Sequence, residues 1–112
     1  MFKREINPFP VSDVVTFRNV DKSITLTVRS NPAALVVGLK NSQEKMTGLN
    51  DKAELSERIA AARLFADTIF GSEQGEKLLQ FYNNEPLTVI NACGMYFQTR
   101  LAKLITKAQK KK

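Results

Sequence analysis

Apolar and polar positions alternate cleanly over Ile24-Thr25-Leu26-Thr27-Val28, with Ile24, Leu26 and Val28 on one face and Thr25 and Thr27 on the other. That period of two predicts a half-buried strand. Val14-Val15-Thr16-Phe17 is rich in strand-favouring residues and predicts its partner. Asn19, Asp21 and Ser23 supply turn chemistry between them. Residues 13–30 therefore read as a β-hairpin. A two-stranded hairpin is marginal alone, so its apolar face must pack on helices from the rest of the chain.

Beyond residue 30 the period changes to that of helices. Asn31-Pro32 is a helix start, with Asn31 as cap and Pro32 at the first helical position. This helix is expected from Pro32 to Met46, with Leu35, Val36, Leu39 and Met46 as its apolar side and Gly48 as its stop. Gly38 weakens its middle unless close packing requires it. Asn50 or Asp51 opens the next helix, and Glu54 stands at capping-box spacing from Asp51. Leu55, Ile59, Ala62, Ala66 and Ile69 form its stripe, with Phe65 and Phe70 beside it. Glu54 with Arg58, and Arg63 with Asp67, have the spacing of ion pairs along a helix. Gly71 ends this helix. Ser72 is expected to cap a short helix with Leu78, Leu79, Phe81 and Tyr82 on its buried side, and Gly75 falls in its first turn, where a break costs little. Asn83-Asn84 ends it.

Glu85-Pro86 opens the last helix. Leu87, Ile90, Gly94, Phe97, Leu101, Leu104 and Ala108 succeed each other in steps of three and four, a seven-residue repeat. The pattern predicts an α+β fold in one domain: a hairpin, then a helical part over 31–109 with about four helices. Residues 1–12 read as an arm or first edge segment, broken by Pro8 and Pro10 and pinned by Ile6 and Phe9. Residues 110–112 read as a basic tail.

Composition narrows the function classes. A chain of 112 residues suits one domain with a modest core. No apolar run approaches the roughly 20 residues of a membrane-spanning helix. MFKREINPFP has no apolar signal core, so secretion is not expected. There is no histidine and one cysteine, Cys93. Histidine-based acid–base chemistry and Ser-His-Asp triads are excluded, and zinc sites nearly so. Cys93, inside a helix with no base beside it, reads as a small buried residue. Gly71 lacks the spacing of a phosphate loop. Glu73, Glu76 and Glu85 read as helix caps and surface charge. No cofactor, metal or enzymatic role is expected.

Charge is uneven. Residues 1–85 hold 11 basic and 11 acidic side chains. The remainder holds Arg100, Lys103, Lys107, Lys110, Lys111 and Lys112 and no acid, so the net charge of +6 lies wholly in the last segment. These lysines complement a helix dipole. They are also the candidate basic contact (Lys103, Lys107, Lys110, Lys111 and Lys112), although no aromatic is interleaved among them for base stacking. Beneath them the apolar stripe is expected to run past the small body, which makes Phe97, Leu101, Leu104, Ile105 and Ala108 the candidate protein-interaction residues.

From Phe65 onward the sequence resembles a known group. FADTIFGSEQGEKLLQFY, a polar turn, a helix with Val89, Ile90 and Cys93, and a lysine-rich end resemble the tail assembly chaperones of long-tailed phages and prophages of Gram-positive bacteria. Ile69-Phe70-Gly71 and Lys77-Leu78-Leu79-Gln80-Phe81-Tyr82 carry the match best, and about the last 48 residues take part. The resemblance implies a non-enzymatic protein of the bacterial host cytoplasm that coats the tape-measure protein, yields as the tail-tube protein polymerises, and self-associates. It also implies a longer form made by ribosomal frameshifting, for which consecutive Lys codons at 110–112 would suit a slippery run. No catalytic residue is carried over. Two alternatives stay open: a nucleic-acid-binding accessory protein using the basic end, and a head-tail connector or completion protein.

Overall fold

The structure is a computed structural model and describes residues 10–110. An antiparallel two-stranded hairpin is followed by four helices. The strands are β1 (Val11–Asn19) and β2 (Lys22–Ser30), paired from Val11↔Ser30 to Asn19↔Lys22. The strands are longer and the turn tighter than the sequence suggests. Only Val20 and Asp21 connect them, and Val20 takes a positive φ of 59°. The expected arm is also shorter. Val11 and Ser12 belong to β1, and Val11 is buried because it faces inward with Phe17, Leu26 and Val28. Ile6 and Phe9 lie outside the described residues.

The hairpin is held to the helices by side chains that satisfy its backbone. Gln74 accepts from Thr27 N–H at 2.9 Å and donates to Thr27 C=O at 2.8 Å, filling the place of a third strand on the outer edge of β2. Near the turn, Asn19 donates to the Phe81 carbonyl and Tyr82 Oη to the Arg18 carbonyl, each at 2.9 Å.

Helix α1 (Pro32–Thr47) starts as expected, with Asn31 Oδ1 accepting from Ala33 and Ala34 N–H. Helix α2 (Leu55–Phe70) starts later than expected. Asn50 instead builds a turn, its side chain accepting from Lys52 N–H and its carbonyl from Ala53 N–H. Glu54 takes the cap position without a side-chain cap bond, and Leu55 is exposed. Neither expected ion pair on α2 forms: Arg58 reaches the carbonyls of Asn50 and Ala53, and Arg63 pairs with Glu76.

Helix α3 (Ser72–Phe81) begins at Ser72 itself, and Gly71, at φ 88°, holds the cap position. Gly75 is not a cheap break. It is buried where α3 lies on α2, and a β-carbon there would overlap Asp67 Oδ1 and stand 3.1 Å from Asp67 N. Asn83 and Asn84, both at φ 57°, end the segment in the left-handed region that Asn tolerates.

Helix α4 (Pro86–Tyr96) opens on Pro86, with the Glu85 side chain accepting from Leu87 N–H. A π turn (Phe97–Leu101) and α5 (Ala102–Lys110) continue it. The seven-residue repeat marks the buried face only in part: Leu101 is buried, and Ile90, Phe97, Leu104 and Ala108 pack against the core at its margin. Leu87 is 64% exposed, whereas Pro86, Val89, Cys93 and Tyr96 are buried, as are Leu101 and Ile105 beyond them. The step from Tyr96 to Leu101 is five residues. The π turn, with Ala102 N–H bonded to the Phe97 carbonyl, absorbs the extra residue and keeps both halves of the stripe on the core. Phe70 joins the layers, edge-on to Phe17 at 5.6 Å and stacked on Tyr96 at 5.9 Å.

Candidate functional site

One face of α1 is committed to α2. Leu35 and Ser42 are buried, and Gly38 allows close approach, since a β-carbon there would stand 2.6 Å from Thr68 Cγ2. A second face, carrying Val36, Leu39, Lys40, Gln43 and Met46, turns toward the end of the last helix without meeting it in full. The gap between them is a groove of about 600 Å³. Phe65 of α2 reaches its floor, and Gly94, Phe97, Ala102 and Ile105 form the facing wall. Val36 is 44% exposed in it. Gly94 adds depth, because a β-carbon there would meet nothing within 4 Å.

The polar groups at this groove are Lys40, Gln43, Gln98 and Thr106, with no carboxylate. Lys103 and Lys107 border an adjoining depression that shares Ala102 and Thr106 with the groove. Lys40, Lys103 and Lys107 are exposed, and none has a carboxylate within ion-pair distance among the described residues.

The candidate residues divide. Phe97 and Ile105 stand at the groove beside Val36, Leu39 and Met46 of α1. Leu101 is 0% exposed and Ile105 6%, both within the protein's own core, and Leu104 and Ala108 pack against that core. The described last turns therefore do not run past the body as the apolar stripe suggests: α5 continues α4 and packs against α1 and β1. Lys103 and Lys107 lie on the surface. The Lys110 side chain and Lys111 and Lys112 lie outside the described residues.

Two features of the site are not visible along the chain. Val36, Leu39 and Met46 are legible as apolar, but their facing an open gap is not. Asp13 sits on the inward side of β1 and takes Tyr96 Oη at 2.9 Å and Arg100 Nη2 at 2.6 Å. An acid among inward apolar positions is the one available signal. This anchor fixes the chain just before and within the π turn, and so the wall that Phe97 contributes.

The titrating groups perform other tasks. Burial pushes the Cys93 thiol up to about 12, which leaves it protonated and unreactive. Burial, then the Asp13 hydrogen bond and charge, raise Tyr96. Burial raises Asp67, with Arg63 opposing and Glu76 adding to the shift, and Asp67 Oδ1 has no hydrogen-bond partner. The hydrogen bond from Arg63 lowers Glu76. No group of three or more His, Cys, Asp or Glu able to hold a metal occurs among the described residues, and no helix there is long and apolar enough to cross a membrane.

Compared with known proteins, the chain matches no family model, no curated protein and no solved structure.

Proposed function

We propose that this protein is a non-enzymatic assembly chaperone of a phage or prophage tail that binds the long helical tape-measure protein and releases it as the tail-tube protein polymerises. The observation that carries the reading is the open apolar groove between α1 and the π-turned last helix. A groove walled by two helices suits a third, whose apolar face it would cover. Its open mouth suits a client that must later be given up. The sequence resemblance over residues 65–112 points to the same class of protein. In this reading the protein works in the host cytoplasm and self-associates, so that several copies cover one long client.

Co-expression with the tape-measure protein encoded beside it tests the reading. The client is expected to stay soluble and co-purify with the chaperone, and to aggregate without it. A client equally soluble alone would overturn the proposal. So would tight retention of duplex DNA at physiological salt that disappears when residues 107–112 are deleted, since the lysines would then serve nucleic acid. A slippery heptamer at the Lys110–Lys112 codons with an overlapping downstream frame is the matching expectation at the nucleotide level.

A further inference from the structure

We infer that the groove between α1 and α5 is selective for one kind of helix: an amphipathic segment whose apolar stripe is flanked by Asp and Glu. The inference rests on the reading of this protein as a helper of a helical client and names the chemistry of the segment it grips. Two independent observations carry it.

The first is shape. Val36, Leu39 and Met46 recur on one face of α1 and meet Phe97 and Ile105 across an open gap floored by Phe65. An entering helix would set apolar residues at i, i+3, i+4 and i+7 into it. The space above Gly94 admits one of them closely, because nothing beyond its chain neighbours and its own turn of helix backbone lies within 4 Å of where a β-carbon would stand.

The second is charge. Lys40 lies at the groove on the α1 side, and Lys103 and Lys107 lie beyond its α5 wall. All three are exposed and without a carboxylate partner among the described residues, and no acid lines the groove. A helix seated here passes between cations on both flanks. Glu or Asp beside its apolar stripe is then attracted, and Lys or Arg in the same places is repelled.

The test uses the full chain and two synthetic helical peptides with the same Leu/Ile stripe, one flanked by Glu and one by Lys. Binding is read by fluorescence anisotropy at near-physiological salt. The Glu-flanked peptide is expected to bind about tenfold or more tightly than the Lys-flanked one. Gly94→Leu fills the groove and should weaken that binding by about tenfold, with its melting temperature checked beside it. Gly94→Ala, a smaller intrusion, keeps most of the affinity and serves as a second variant should the leucine disturb folding. Reversing the lysines together (Lys40→Glu, Lys103→Glu, Lys107→Glu) should invert the preference. Equal affinity for both peptides, binding of neither, or indifference to Gly94→Leu overturns the inference. Failure of the chaperone reading is distinguishable. Should the tape-measure protein co-purify with Gly94→Leu as well as with the native chain, the groove assignment falls and the chaperone stands. Should the Glu-flanked peptide bind through the groove while no tape-measure protein co-purifies, the reverse holds.

Discussion

Tyr96 Oη donates a 2.9 Å hydrogen bond to Asp13 Oδ2, joining residues 83 apart in sequence. The bond ties β1 to α4 at the last residue before the π turn, and Arg100 within the turn takes the other carboxylate oxygen at 2.6 Å. Tyr96→Phe leaves one buried oxygen of Asp13 without its donor. The expected loss is about 2 kcal/mol, measured by urea unfolding.

The same tyrosine gives a pH dependence. Tyr96 ionises above its ordinary value of 10.0 in the folded protein. Its contribution to stability is therefore whole below pH 10.0 and is lost as pH rises through the raised folded value. Tyr82 and Cys93 are shifted in the same direction. Stability should fall on the alkaline side, and Tyr96→Phe should make that fall shallower without abolishing it. Melting temperatures across alkaline pH check this, and identical slopes for the two proteins would refute it.

Gly38 is fixed by its neighbour and not by its backbone angles. In an exposed helix Gly→Ala stabilises by about 1 kcal/mol. Here the methyl would stand 2.6 Å from Thr68 Cγ2, an overlap expected to cost about 1–3 kcal/mol. Gly38→Ala should therefore be destabilising. Thr68→Ser removes the offending methyl and keeps the hydroxyl that bonds the Leu64 carbonyl at 2.7 Å. The double variant should recover stability beyond the sum of the two single effects, read from a double-mutant cycle.

Val20 is a β-branched residue at φ 59° with 97% of its surface exposed. Nothing apolar rewards it, and left-handed backbone costs a branched side chain about 1–2 kcal/mol. Val20→Asn should raise stability by about 1 kcal/mol by the same unfolding assay.

Cys93 should resist aqueous thiol reagents near neutral pH, being fully buried with its thiol pushed up to about 12. Labelling is expected to proceed at the rate of unfolding and to become immediate in denaturant. Rapid labelling of the folded protein would show that α4 opens locally.

The parts of the fold legible in the sequence are those written locally. Asn31-Pro32 and Glu85-Pro86 mark helix starts, Asn83-Asn84 marks a stop, and alternation from Ile24 to Val28 marks an inward strand face; each needs only its neighbours along the chain. The two tight glycines are ambiguous in sequence because their cause lies elsewhere. Gly38 answers to Thr68, and Gly75 to Asp67. Asp13 likewise finds its partners 83 and 87 residues away. The last helix misleads because it holds two apolar registers. Leu87, Ile90 and Gly94 form one, Val89, Cys93 and Tyr96 another, and packing on α2 selects the second. The groove is less legible still, since it is a gap between helices and leaves no period of its own.

The turn from Phe97 to Leu101 makes spacing a kind of information that residue identity does not hold. Each α-helical residue advances the chain by about 100°. Deleting one residue there would leave a four-residue step from Tyr96 to Leu101, which an ordinary α-helix covers with both on one face. Forcing the present five residues into α-helical winding would instead swing everything beyond them by about 100° and carry Leu101 and Ile105 out of the interior. Exposed Gln98 lies in the turn that carries the helix's spare residue, so shortening by one there should leave both halves of the stripe on the core, as replacing its side chain would.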